Sequence, residues 1–279
     1  GVAGKGKPFG DWWTFTKRYC DGHDSRYGYK ADGATNISEL SERLRASIYL
    51  RRDKSQVLSD LPEKQRQFLY VPVPAETKAE LREIEKQRAK DKKEGRPEAD
   101  MLAVTKAFHA AGRGKAEAAE VFIEEFADTD KKLIVFANQI SLQQRLFEKS
   151  KELGMLPAKI SGEDSSTARD AAVQRFQNDP ACKLIVCSLK AAGVGLTLTA
   201  ASDVLMVEQD FVPATLDQAE DRAHRIGQRD AVNVVYLIAE STIDEQVAEL
   251  IEARRKTASD LSKPITAGLF NKKDGADAN

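Results

Sequence analysis

The chain has 279 residues, with 43 lysines and arginines against 44 aspartates and glutamates, a formal net charge of −1. That balance excludes a polybasic nucleic-acid tail or a histone-like binder, either of which carries a strong positive excess. Hydrophobic residues at 41% and charged residues at 31% make a globular composition rather than a fibrous or disordered one. No apolar run approaches the roughly 18 residues that span a bilayer, so no membrane partner is expected. The opening GVAGKGKPFGDWW has lysines but no apolar core of a secretory signal. The length allows one large domain or two modest ones. Three cysteines, Cys20, Cys182 and Cys187, are too few and too odd in number for a disulfide framework. They point to a reducing, intracellular compartment, the cytoplasm or nucleoid if the source is bacterial or phage.

Residues 1–74 are mixed in texture. Trp12, Trp13, Phe15 and Tyr19 come early, and the tryptophans suit core burial better than base stacking. Ile37, Leu40, Leu44 and Ile48 recur at helical spacing behind the candidate caps Asn36 and Ser38, which predicts a helix over 38–50. Leu58 to Pro62 breaks that pattern, and Gln67 to Val73 reads as a strand stopped by Pro72 and Pro74. Residues 76–100 hold eight basic and eight acidic side chains, with Leu81 and Ile84 almost the only large apolar ones. This pattern predicts a solvated helical protrusion that ends at Gly95-Arg-Pro97.

Residues 116–258 read as a domain. Four short β-branched runs, Leu133–Ala137, Leu184–Cys187, Val204–Val207 and Val234–Ile238, have the unbroken apolar texture of strands buried on both faces. Ala158–Ile160 adds a candidate edge strand. Helical patterns lie near Leu142–Leu153, Ala168–Phe176, Leu216–Arg225 and Ile243–Arg254. Strands alternating with helices predict an α/β fold with a parallel sheet sandwiched by helices. From residue 262 the polar, glycine-containing tail predicts disorder.

Open α/β sheets bind ligands beyond the carboxyl ends of their strands. The segment Ser188 to Thr199 follows one such strand and brings a hydroxyl, Lys190 and two glycines, Gly193 and Gly195, where backbone could approach a phosphate. A tight turn explains the glycines equally well. Gln218, Arg222 and Arg225 are spaced i, i+4, i+7, which on a continuous helix puts them within roughly 60° on one face. Two guanidiniums and an amide on one side suit a multiply charged oxyanion such as a γ-phosphate. The bland alternative is a solvated basic face paired with Glu220 and Asp221. His224 reads as structural. Cys20-Asp-Gly-His23 has metal-like spacing but no second Cys/His pair, so no metal site is assigned.

The run Gln218-Ala-Glu-Asp-Arg-Ala-His-Arg-Ile-Gly-Gln228 resembles motif VI of the Swi/Snf-type ATPases, DNA translocases of helicase superfamily two. The similarity is greatest to the annealing-helicase (HARP-like) branch and its bacterial or phage counterparts. Ser188 to Asp203 resembles motif V and Leu133 to Gln139 motif IV. Ile160-Ser-Gly-Glu163, with Arg169 and Phe176, resembles the segment between them. Leu50-Arg-Arg-Asp-Lys54 and Leu61-Pro-Glu-Lys64 are similar to the element joining the family's two lobes. Two departures stand out: Ser161-Gly162 where the family often has Asp-Gly, and Ala192-Gly193 where it often has paired glycines.

The resemblance implies a RecA-like sheet at 116–261, an N-terminal extension at 1–74 that ends a first lobe and joins it to the second, and a charged helical protrusion at 75–115. A flexible tail follows at 262–279. It implies Arg222 and Arg225 as arginine fingers, with Gln218 placing the same phosphate or its water, and Gly193 and Gly195 beside the nucleotide. Ser188, Lys190, Asn138, Gln139, Ser161 and Gly162 are the implied contacts to a duplex DNA backbone, without sequence reading. The implied cofactor is ATP with Mg, bound mainly by a first RecA-like lobe, and the implied partners are DNA and that lobe. No G-x-x-x-x-G-K-[ST] and no Walker B box occur, so this piece is expected to be inactive alone. Two further readings remain: a stand-alone nucleic-acid- or protein-binding module, and an RNA helicase lobe of the DEAD-box type.

Overall fold

The computed structural model describes residues 9–25, 28–47, 58, 60–96, 98–192 and 195–262. The expected Leu50 to Lys54 element and the expected tail beyond residue 262 lie outside them. Contacts divide the chain into two units, residues 1–57 with 252–279, and residues 58–251.

The smaller unit starts with helix α1 (Trp12–Tyr19), whose first turn is capped by Asp11 accepting the Thr14 N–H at 2.7 Å. A short antiparallel pair, β1 (His23–Ser25) and β2 (Gly28–Lys30), follows, then α2 (Ile37–Ser47). Trp12 and Trp13 are exposed, so core burial, one of the two fates their sequence suggests beside interface burial, is not theirs. They pack on Tyr29, with the Trp13 and Tyr29 rings 4.7 Å apart.

The larger unit is built on six parallel strands: β3 (Lys64–Val71), β4 (Leu133–Phe136), β5 (Ala158–Ile160), β6 (Leu184–Cys187), β7 (Asp203–Met206) and β8 (Val232–Ala239). Their order across the sheet is β3-β8-β7-β4-β6-β5. Each run read as a strand from its apolar texture is a strand, and Ala158–Ile160 is an edge as expected. The strand before the first prolines pairs with β8 in an eight-residue register from Lys64↔Val232 to Val71↔Ala239. It is the other edge of this sheet and belongs to the 58–251 unit.

Side chains of successive residues leave a strand on opposite faces. Ile134, Phe136, Ile185, Cys187, Val204 and Met206 meet helices α7 (Ser166–Asn178), α9 (Pro213–Glu220) and α10 (Ile243–Ser262) through Phe176, Leu216 and Ile251. Leu133, Val135, Leu184, Val186 and Leu205 meet α5 (Ala116–Ala127) and α6 (Ile140–Glu152) through Ile123 and Leu146. Both faces are therefore covered, which is why the strand runs are apolar without alternation. The charged segment forms a hairpin of α3 (Ala75–Lys93) and α4 (Glu98–Gly114), turned at Gly95 with φ +74°. No residue of α3 is buried, as its composition predicts. Among the described residues no helix is long and apolar enough to cross a membrane.

One ion pair lies wholly inside. Lys115, 0% exposed, donates from Nζ to Asp244 Oδ2 at 2.6 Å and to the Leu237 carbonyl at 3.0 Å. Asp244 also accepts the Ala239 N–H and a proton of Gln209 Nε2. The pair ties the start of α5 to the end of β8 and the start of α10. Removing one partner strands the other charge in the interior. Lys115→Ala should therefore destabilise the domain by about 3–5 kcal/mol, read as a shifted midpoint in urea unfolding.

Candidate functional site

The residues expected to bind ligands fall at two opposite ends of the sheet. Asn138 and Gln139 follow β4, Ser161 and Gly162 follow β5, and Ser188 and Lys190 follow β6, all at carboxyl ends. The turn carrying Arg222 and Arg225 lies at amino ends. Its His224 Nε2 is 2.7 Å from the carbonyl oxygen of Pro62, just before β3, and Gln228 Nε2 donates to the Ala201 carbonyl, just before β7, at 2.8 Å. The carboxyl-end rule for open α/β sheets describes the first group only. His224 is structural, as expected.

The helical stripe of Gln218, Arg222 and Arg225 is corrected. Helix α9 ends at Glu220, and the chain continues in successive turns through Gly227, so the 100° spacing does not carry past Glu220. Helix bonding gives out over the next residues: the carbonyls of Ala219 and Glu220 accept at i+3, from Arg222 and Ala223, the His224 N–H to Glu220 carbonyl bond is the last at i+4, and Arg225 donates to Ala223 only two residues back. Gly227, at φ +101°, allows the reversal that follows.

A buried carboxylate explains why the helix stops there. Glu220, 0% exposed, accepts from Arg66 Nε and Nη2, both at 2.7 Å, from Tyr236 Oη at 2.6 Å, and pairs with Lys64 Nζ at 2.7 Å. These partners come from β3 and β8. The clamp holds the C-terminus of α9 against the sheet edge and fixes where the arginine turn begins. Burial alone would raise the Glu220 pKa; the Arg66 hydrogen bonds and the Lys64 and Arg66 charges outweigh it and hold it at about 2.

Gln228 fixes the far side of the turn. Its buried amide donates to the carbonyls of Ala201 and Ala223 and accepts the Arg229 and Asp230 N–H groups. Between these anchors the Arg222 carbonyl accepts the Leu198 N–H at 2.9 Å, which joins the arginine turn to the Gly195–Thr199 segment. Arg222 is half-buried, and Arg225 and Gln218 are exposed. Burial and then the like charge of Arg225 lower the Arg222 pKa, with Asp221 pulling the other way. Gly195 is exposed, at φ +41°. Gly193 lies outside the described residues.

At the carboxyl end several expected ligand groups are already engaged. Ser188 is buried, and its Oγ accepts the Ala191 N–H at 3.1 Å, capping the single turn α8 (Leu189–Ala192). Asn138 Oδ1 accepts the Leu189 N–H at 3.2 Å, and its amide donates to the Gln209 carbonyl. Gln139 donates from Nε2 to Glu208 and to the His109 carbonyl, and accepts from Arg113 at 3.1 Å. Ser161 donates its N–H to Asp164 at 2.6 Å, and the Gly162 carbonyl accepts from Arg169 at 2.9 Å. Lys190 is exposed, with no ion pair among the described residues. Among those residues no group of three or more His, Cys, Asp or Glu side chains could hold a metal ion.

Residues 115–227 match the helicase conserved C-terminal domain family. The SWI/SNF-related matrix-associated actin-dependent regulator of chromatin subfamily A-like protein 1 homolog of Caenorhabditis elegans is 37% identical over 262 residues, covering 92% of this chain and 38% of that protein. The chain carries a helicase C-terminal domain similar to those of SWI/SNF-related proteins. The DNA annealing helicase and endonuclease ZRANB3 of Homo sapiens is also 37% identical, over 85% of this chain and 22% of that protein. The chain thus spans well under half the length of these relatives. The Sulfolobus solfataricus SWI2/SNF2 ATPase core domain superposes with a TM-score of 0.56 at 26% identity, covering 92% of this chain and 55% of that one. The C-terminal domain of a Sulfolobus solfataricus SWI2/SNF2 ATPase gives 0.57 over 69% of this chain and 87% of that one, at 23% identity. The parallel sheet with helices on both faces is the RecA-like lobe of that class.

Within this helicase C-terminal domain, Glu220, Lys64, Arg66, Tyr236, Glu208 and Gln228 position the site without having been legible as its parts. Arg66 and Glu220 are 154 residues apart, and no local pattern pairs them. The clamp sets a pH dependence. Glu220 has a folded pKa of about 2, below its ordinary 4.5, so its contribution is fully present above pH 4.5 and is lost as pH falls from 4.5 toward 2. That difference corresponds to on the order of 3 kcal/mol. Glu220→Gln should destabilise the domain at pH 7, and its gap from the parent in denaturation midpoint should narrow across that acid window. A gap that stays constant from pH 7 to pH 2.5 contradicts the clamp.

Proposed function

We propose that this chain supplies the second lobe of an ATP-driven DNA translocase, with Arg222 and Arg225 presented to the terminal phosphate of ATP held by a first lobe. The observation that carries the reading is the Leu198 N–H to Arg222 carbonyl bond, which joins the glycine loop and the arginine turn into one surface. The names of the relatives, SWI/SNF-related proteins and DNA annealing helicases, favour DNA as the polymer.

Bound ATP with Mg, held mainly by the first lobe, would supply the phosphoryl group and a divalent charge to neutralise it. This chain's own part is to place positive charge. The Glu220 clamp and Gln228 hold the arginine turn rigidly, so the guanidiniums are preorganised where negative charge develops rather than reorganised at each turnover. Gln218, exposed on α9, is on hand to orient the phosphate or its water. Gly193 and Gly195 leave room for the nucleotide to approach the backbone.

At the other end of the sheet Lys190, Ser161 and Gly162 serve as backbone contacts to duplex DNA, with Ser188, Asn138 and Gln139 holding their loops in shape. Such contacts grip phosphates and do not read bases. Closing and opening of the two lobes with each ATP would then move the grip along the duplex.

In the intact protein, Arg222→Ala and Arg225→Ala should each lower DNA-stimulated ATP hydrolysis by about a thousandfold or more, the loss expected for an arginine finger. Parental turnover in both variants, measured by phosphate release at saturating ATP and DNA, would falsify the assignment.

A further inference from the structure

We infer that Glu208 is a positioning residue for the DNA-contacting end of the sheet, an inference that rests on the function proposed above. Glu208 is 3% exposed and stands just past the end of β7. Its Oε2 accepts two successive backbone N–H groups, Asn138 at 2.6 Å and Gln139 at 2.8 Å, and its Oε1 accepts Gln139 Nε2 at 2.7 Å. All three of these donors are neutral. A carboxylate so deeply buried is retained only where donors replace its water, and here the donors are those just ahead of the first turn of α6. Glu208 therefore ties the chain just ahead of α6 to the end of β7.

The geometry extends outward from that carboxylate in two directions. Toward β6, the held Asn138 accepts the Leu189 N–H, so the turn carrying Lys190 is registered on β4 through one side chain. Toward the protrusion, a Cβ on Gly112 would lie 2.7 Å from Glu208 Oε1 and 2.9 Å from Gln139 Nε2, so α4 approaches this point as closely as glycine permits. Arg113 adds a bond to Gln139 and an ion pair with Glu80 on α3 at 2.6 Å. The hairpin, β4 and the Lys190 turn share one carboxylate.

The arginine turn stands at the other end of the strands. Loosening Glu208 should therefore affect DNA grip and spare ATP chemistry. Replacing the carboxylate by an amide keeps the shape but offers one acceptor where three donors converge, so at least one donor is left unmet.

The test is steady-state ATP hydrolysis by the intact protein, titrated with duplex DNA, for the parent, Glu208→Gln, Asn138→Ala and the double variant, with Arg222→Ala as control. Glu208→Gln should raise the DNA concentration for half-maximal stimulation about tenfold. Its kcat at saturating DNA and its KM for ATP should stay within about twofold. Asn138→Ala should reproduce the DNA defect, and the double variant should be no worse than the stronger single, because both act through one chain of bonds. Circular dichroism melts check that each variant is folded, and Asn138→Ala, at a half-buried site, carries the test should Glu208→Gln fail to fold. An unchanged DNA requirement in a folded variant, an equal fall in kcat, or full additivity overturns this inference alone, provided the parent is DNA-stimulated and Arg222→Ala is inactive. A parent with no DNA-stimulated hydrolysis overturns the proposed function and this inference with it.

Discussion

The arginine end of the domain depends on how one carboxylate leaves water. Burying Glu220 costs several kcal/mol unless the charge is met in full. It is met by two nitrogens of Arg66, by Lys64 and by the Tyr236 hydroxyl. Those partners sit on β3 and β8, so satisfying the charge requires the edge strand, its neighbour and the end of α9 to arrive together. The helix ends at that anchored residue, and Arg222 and Arg225 follow in the turns beyond it. Positive charge is placed at the surface by a negative charge hidden beneath it.

The same economy governs the carboxyl end. Loops there would leave backbone N–H groups without partners, and side chains supply acceptors. Glu208 serves Asn138 and Gln139, Asn138 serves Leu189, and Ser188 serves Ala191. Gln143 on α6, 2% exposed, returns two bonds to the carbonyls of Ala137 and Asn138. Polar residues at strand ends are easily read as ligand contacts because both roles draw on the same residue types. Exposure separates them: Lys190 keeps its charge in solvent, while the Ser188 hydroxyl is enclosed.

Strands β4, β6, β7 and β8 were legible in the sequence because burial on both faces leaves an unbroken β-branched run that few other structures tolerate. The parallel order followed from helices alternating with strands. The edge strand β3 was legible as a strand from Gln67 on but not as part of this sheet, and its polar start at Lys64, Gln65 and Arg66 was not read as strand. Lys64 and Arg66 are partners of Glu220. The sequence pattern named the arginine turn correctly as a unit but drew it as helix, because Gln218, Arg222 and Arg225 keep helical spacing. The spacing is real, but the carboxylate that ends the helix is answered from 154 residues away. Pairings at that separation leave no local trace. Gly95 and Gly227, by contrast, announced their turns directly, as positive φ at glycine does.

The two ends of the sheet pose a problem of communication that the chain answers covalently. Strand β7 is four residues long, so the two ends stand roughly 13 Å apart. The segment from Ser188 to Thr199 leaves the carboxyl end of β6 and reaches the amino end of β7, the one expected ligand loop to touch both. Its start is fixed by Asn138 to β4 and its end by Leu198 to the arginine turn. Gly195 lies between these anchors, exposed and in the left-handed region, where a side chain would strain the backbone.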